Sequence, residues 1–292
     1  MKTLKNSFVL IMMVGILFSC SKDDKQDNKP VGPKLIVKIA VDSTQVRLGN
    51  NGQPTAVGTG NAGQNPIMNG ISAHYLELAQ GPYTALGAGE VVYHAPETTK
   101  GGDATIDFAQ SKVVKPGDVF LEIPLSKISP DTYEWVRLSL SYQNGDVKFR
   151  YGGNIYTGTL ASFVGFNTYI DNYTLKNKSV DVSGNKAQGY WGFETMANVI
   201  TGQAPAGAIT VPNPLFSTSP IPQGSCVVTG EFANPLTITG NEKEDVVIVM
   251  SLSVNKSFEW EDKNGNGFWD VDPGADENVV DMGLRGLVPI VE

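Results

Sequence analysis

Cysteine and histidine are almost absent from this chain: its 292 residues include two of each, Cys20 and Cys226, His74 and His94. Two cysteines allow no disulfide framework, and two histidines confine any imidazole chemistry to a single pair. Basic residues are also scarce, with 22 Lys and Arg against 30 Asp and Glu and a formal net charge of −8. That balance excludes the basic face on which nucleic acid is bound. No apolar run approaches the ~20 residues that cross a bilayer as a helix; the run Phe8–Phe18 has about half that length. Enzyme signatures are missing too. There is no Gly-x-Ser-x-Gly, no His-Glu-x-x-His, no phosphate-binding loop and no dinucleotide fingerprint. A glycosidase needs only two carboxylates, a pair that inspection cannot single out among 30 acidic residues.

What is present begins at the N-terminus. Lys2 and Lys5 precede the apolar run, which ends in Ser19-Cys20 and then Ser21-Lys22-Asp23-Asp24. A basic start, a short hydrophobic stretch and a small residue before cysteine form the pattern of a bacterial lipoprotein signal. Residues 1–19 are then the signal peptide and Cys20 the lipidated N-terminus. Losing Lys2 and Lys5 leaves 20 basic against 30 acidic residues, a net charge of −10. Lipid, and not surface charge, is therefore the expected membrane attachment. Residues 20–33 are polar and broken by proline, a flexible tether to a domain over 34–292. Cys226, with no partner left, reads as a buried core thiol.

Thirty-two glycines and 17 prolines, with many Thr, Val and Tyr, favour strands joined by tight turns. No segment shows an amphipathic helical period, and no internal repeat is visible. Strands are expected at Leu35–Val41, Ile71–Ala79, Glu90–Tyr93, Ala104–Phe108 and Asp118–Ile123. The clearest alternation covers Thr132–Gln143, with Val136, Leu138, Leu140 and Tyr142 on one face and Trp135, Arg137, Ser139 and Ser141 on the other. That pattern implies one buried and one exposed face. Hairpins are expected across Gly152-Gly153 and across Lys176-Asn177-Lys178. Further strands follow at Cys226–Phe232, Leu236–Thr239 and Asp245–Asn255, whereas residues 49–70 and 201–224 read as long loops. The expected fold is all-β, an antiparallel β-sandwich in a single domain with long Gly/Pro-rich loops.

Three features carry site chemistry. The first spans Asp262 to Glu277. Asp262, Asn264 and Asn266 stand at relative positions 1, 3 and 5, with Gly267 at 6, the Phe268 carbonyl at 7 and Asp270 at 9. Alternate residues of a tight loop aim their oxygens at one centre, the spacing of a calcium-binding loop. Position 12 is Pro273, so Asp272, Asp276 or Glu277 must close the shell. Eight acidic residues against one lysine lie between Glu259 and Asp281, a density that favours a bound cation over an ordered but uncompensated loop. The second feature is the histidine pair. His74 and His94 sit in separate strand-like runs, and pairing of those runs would let the imidazoles share a copper or zinc ion. The third is Trp135 and Trp191, candidate platforms for stacking a sugar ring.

Cys20 to Asp24 resembles the export tag of Bacteroidota surface lipoproteins, which implies an outer-membrane address facing the cell surface. The strand patterns at Leu35–Val41, Val119–Pro124 leading into Thr132–Leu138, and Val246–Leu252 are similar to the MbnP-like family. That resemblance implies a β-rich envelope domain and copper handling. Three function classes follow. The first is a lipid-anchored, non-catalytic binding or accessory lipoprotein with a structural calcium ion and a glycan or envelope-protein partner. The second is a copper- or zinc-handling protein, and the third a glycan hydrolase.

Overall fold

The computed structural model describes residues 32–48, 53–204 and 226–292. Cys20, most of the tether and most of the second long loop lie outside the described residues. Gly32–Glu292 forms one compact unit.

Among the described residues the chain runs through eighteen strands. They are β1 (Lys34–Asp42), β2 (Asn61–Gln64), β3 (Ile67–Ala79), β4 (Glu90–His94), β5 (Glu97–Thr98), β6 (Thr105–Asp107), β7 (Val119–Pro124), β8 (Asp131–Tyr151) and β9 (Asn154–Phe163). There follow β10 (Asn167–Thr174), β11 (Ser179–Ala187), β12 (Tyr190–Glu194), β13 (Val199–Gln203), β14 (Cys226–Ile238), β15 (Val246–Ser253), β16 (Phe258–Glu261), β17 (Val279–Met282) and β18 (Arg285–Val291). Among the described residues helix is confined to two single 3₁₀ turns after β6 and β7, and no helix there is long and apolar enough to cross a membrane. The all-β expectation holds.

Two sheets make the main sandwich. One has the order β18-β15-β1-β7. The other runs β13-β12-β9-β8-β3-β4, with β14 also paired to β8. Their facing sides meet in one apolar core. Leu35, Val37 and Ile39 alternate inward from β1, and Ile248, Met250 and Leu252 from β15. They pack on Ile71, Leu76 and Leu78 of β3 and on Val136, Leu138 and Leu140 of β8. Burying each such side chain contributes roughly 1.5–3 kcal/mol, so this core dominates the fold's stability. Pairing is antiparallel except at β1–β15 and β6–β10.

β8 departs from the sequence reading in two ways. It is 21 residues long and continues through Tyr151 to the Gly152-Gly153 turn, so the strand and the expected hairpin arm are one element. Its second face is also covered: Arg137, Ser139 and Ser141 are buried along with Val136, Leu138 and Leu140. The connection between β3 and β4 folds over that face, packing Leu86 against Tyr75 and Val227. Arg137 there reaches Glu77 at 3.7 Å, and Glu77 accepts N–H bonds from Gly87 and Gly89. Alternation correctly located the strand, but not the cover over its second face, where the Ser139 and Ser141 hydroxyls are buried without a hydrogen-bond partner among the described residues.

Two smaller sheets complete the unit, β11-β10-β6-β5 and β17-β16-β2. β2 and the start of β3 fall within residues 49–70, where the sequence suggested a loop, and β13 occupies the start of the second.

Candidate functional site

The two histidines meet. β3 and β4 pair antiparallel with Tyr75 opposite His94. Against β8, the step from Ala73 to Tyr75 spans two residues on β3 but only one, Leu140 to Ser139, on β8. His74 is the extra residue of that bulge, a feature that re-aims a side chain out of the regular pleat. Its ring lies 4.7 Å from that of His94, centroid to centroid, and 5.3 Å from that of Phe166.

Glu97 completes the cluster. β4 ends at His94, the Ala95 N–H donates to the His74 carbonyl at 2.7 Å, and after Pro96 the chain re-enters strand at Glu97. That short turn brings the Glu97 carboxylate back onto both rings. Its Oε1 is 2.9 Å from His74 Nε2 and 3.5 Å from His94 Nε2. One ligand atom from each of the three residues lies within 4.8 Å of the others. Tetrahedral zinc with ligands at ~2.0–2.1 Å places them about 3.3 Å apart, a spacing that the two measured distances bracket.

His74 is fully buried, whereas His94 is about half exposed. Burial lowers the His74 pKa to about 4 against the opposing hydrogen bond to Glu97. A neutral ring leaves a nitrogen lone pair, the form in which imidazole binds a metal. Glu97 was not singled out in the sequence; His-Ala-Pro-Glu, a carboxylate three residues after a histidine across proline, was the available signal.

The Asp262–Glu277 segment is an ordered loop between β16 and β17. Asp262 Oδ1 and Oδ2 accept N–H bonds from Asn266 (3.1 Å) and Gly267 (2.9 Å). Gly267 has φ +75°, the left-handed conformation that glycine adopts freely. Asn264 and Asn266 both reach Asp270 Oδ2, at 2.7 and 2.8 Å. They do so as N–H donors, while their own oxygens accept the backbone N–H groups of Asn266 and Phe268, so these residues hold one another and not a common centre. The cation beside them is Arg150 of β8, whose guanidinium grips Asp270 at 2.5 and 2.9 Å.

The other expected ligands face elsewhere. The Phe268 carbonyl accepts the Trp260 indole N–H at 3.1 Å. Asp272 accepts from the Gly152 N–H at 2.9 Å and Glu277 from the Asp270 N–H at 2.8 Å. Asp276 is exposed, with φ +52°. Burial acts to raise the Asp270 carboxyl, but the bonds from Asn264, Asn266 and Arg150 outweigh it and hold its pKa below the ordinary value.

Trp135 and Trp191 are both half-buried, and they stand on different strands, β8 and β12. Trp191 lines a cavity of about 930 Å³ between β8, β9, β12, β13, β16 and β17. Cys226 also borders that cavity as a buried thiol, which burial pushes up to about 12, so it is a poor nucleophile at neutral pH.

No protein-family model, curated protein or solved structure matches this chain. The functional argument therefore rests on these side chains.

Proposed function

We propose that this protein is a lipid-anchored, non-catalytic cell-envelope protein that binds zinc or copper through His74, His94 and Glu97. The observation that carries the reading is the convergence of two imidazoles and one carboxylate, whose ligand atoms a β-bulge and a proline turn bring within 4.8 Å of one another. Two nitrogens and one oxygen make a borderline-soft donor set suited to zinc or copper(II) and ill-suited to calcium or magnesium. The half-exposed His94 leaves a path for the ion and a fourth position for water or a donor from elsewhere. The lipid anchor at Cys20, and with it the outer-membrane address, is supported by the N-terminal sequence pattern alone.

A second reading concerns the acidic loop: calcium held by Asp262, Asn264, Asn266 and Asp270 as a structural ion. The sequence spacing of these four oxygen-bearing side chains favours it; Asn264 and Asn266 turn N–H groups, not oxygens, toward Asp270. Competition from Arg150 for the same carboxylate bears against it.

Thermal melts of chelator-stripped protein separate these readings. An ion that binds only the folded state, at a hundred times its dissociation constant, adds about 2.7 kcal/mol of stability. Zinc or copper is expected to raise the wild-type melting temperature, to leave His94→Ala unmoved and to stabilise Asp262→Ala normally. A calcium shift that disappears in Asp262→Ala supports the loop site. An equal zinc and copper response in wild type and His94→Ala refutes the histidine assignment.

A further inference from the structure

The cavity beside Trp191 shares no lining residue with the histidine cluster. We propose that it is a binding site for an uncharged, apolar small molecule, held by contact with aromatic rings and selected by the lack of any free charge in its walls.

The walls define the body of that ligand. Phe149, Tyr156, Trp191, Phe193, Trp269 and Val279 line the cavity from β8, β9, β12, the acidic loop and β17. Of these, Tyr156, Trp191, Trp269 and Val279 are only partly buried against the core behind them, so each keeps apolar surface that the fold does not cover. The volume of about 930 Å³ falls at the upper end of the range for small-molecule sites, ~300–1,000 Å³, where apolar and aromatic walls are usual. Two of the rings are backed by glycine. A Cβ at Gly158 of β9 would stand 2.4 Å from the Phe193 ring, and one at Gly202 of β13 2.5 Å from the Trp191 ring. Both rings therefore lie directly against backbone. Trp269 is fixed by its indole N–H, which donates to the Glu277 carbonyl at 3.2 Å. Asp270 beside it is clamped to Arg150. Walls held in this way are preorganised, and little ordering entropy opposes binding. Tyr151, Met196 and Ile200, exposed large hydrophobic residues, border the cavity and give an apolar molecule its way in.

The polar groups of the walls are engaged with one another. Asp281 pairs with Arg285. Glu277 accepts the Asp270 N–H through Oε2, and its Oε1 is enclosed by protein, out of reach of a ligand. Gln143 donates to the Met282 carbonyl, Gln203 to the Gln188 carbonyl at 2.7 Å and Asn278 to Glu261 at 2.9 Å. Burial keeps the Cys226 thiol protonated and neutral. Among the described lining residues, then, no unpaired charge faces a ligand. A charged molecule entering this space loses its water and gains no counter-charge, which is costly. Sugars are disfavoured on the same ground, since their many hydroxyls would find few partners.

The probes are 1-N-phenylnaphthylamine and 1-anilinonaphthalene-8-sulfonate, which carry the same rings without and with a negative charge and both brighten out of water. The neutral probe is expected to bind saturably at one site per chain, and the sulfonate at least about tenfold more weakly, a difference of ~1.4 kcal/mol. Phenanthrene, a hydrocarbon with no hydrogen-bonding group, should displace the neutral probe. Val279→Trp fills the cavity and should abolish binding; Thr157→Trp, at an exposed lining position, serves if the first variant does not fold. Absence of saturable binding to wild type, or binding that survives both tryptophan variants, overturns the site, whatever fills the space instead. Sulfonate binding as tight as that of the neutral probe, or no displacement by phenanthrene, overturns the ligand class. The wild-type measurements decide both points without any variant.

Discussion

Replacing Glu259 by alanine is expected to cost about 3–5 kcal/mol of folding free energy, the penalty for stranding a buried ion-pair partner. Glu259 is 4% exposed on β16 and forms an ion pair with Arg47, itself 6% exposed. The carboxylate also accepts the Gly58 N–H at 2.9 Å and the Asn61 side chain at 2.6 Å. It therefore holds the connection before β2 onto β16. Without it, Arg47 keeps, among the described residues, only Asp281, at 3.9 Å, and Asp281 is already paired with Arg285. Burial acts to raise the Glu259 carboxyl, but the bonds from Asn61, Arg47 and Gly58 prevail and lower its pKa. A lowered carboxylate pKa contributes stability above the unfolded value that is lost as pH falls through the folded one. The alanine variant should therefore also flatten the acid limb of the stability curve. Urea unfolding at pH 7 measures the first effect. A midpoint shift worth less than about 1 kcal/mol contradicts the account of this network.

Metal-free protein is expected to lose stability on acidification through His74. The folded pKa of about 4 lies below the ordinary 6.5, so between those values the unfolded chain binds a proton that the native ring refuses. Stability is complete above pH 6.5 and falls as pH drops toward 4. A depression of that size corresponds to roughly 3 kcal/mol. His74→Gln, which retains a side chain able to bond Glu97, should lose less stability over the same interval. The groups facing the ring are His94 and Glu97, both present in the two proteins. Urea midpoints in chelator at pH 7.5, 5.5 and 4.5 test this. Parallel curves for wild type and variant mean that the ring titrates in the folded state as it does in the unfolded one.

The strands were legible where alternation ran uninterrupted. β1 and β15 were located within a residue or two of their ends by their Val, Ile and Leu patterns, and the Gly152-Gly153 hairpin by its turn. β12 and β13 were not identified, because Gly192 and Gly202 interrupt any pattern. Those glycines make room for neighbours: a Cβ at Gly202 would stand 2.5 Å from the Trp191 ring, and one at Gly192 2.2 Å from the Tyr173 hydroxyl oxygen. The face of β8 that carries Arg137 was misjudged as exposed, since no local pattern announces that a distant loop will cover it. In the same way, Asp270 was readable as a ligand but its partner Arg150 was not, with 120 residues between them. The histidine pair was legible as two residues. The bulge that turns His74 out of register, and so makes them a cluster, depends on β8 and is invisible locally.

The central claim is that His74, His94 and Glu97 hold one transition-metal ion. Cobalt(II) titration of the chelator-stripped protein, read by visible absorption, tests it most directly, because cobalt reports both stoichiometry and coordination number while occupying zinc-type sites. One equivalent should generate the intense bands of a four-coordinate site, zinc should bleach them, and His94→Ala and Glu97→Ala should fail to produce them. A spectrum no different from aqueous cobalt, or bands undiminished in both variants, contradicts the account.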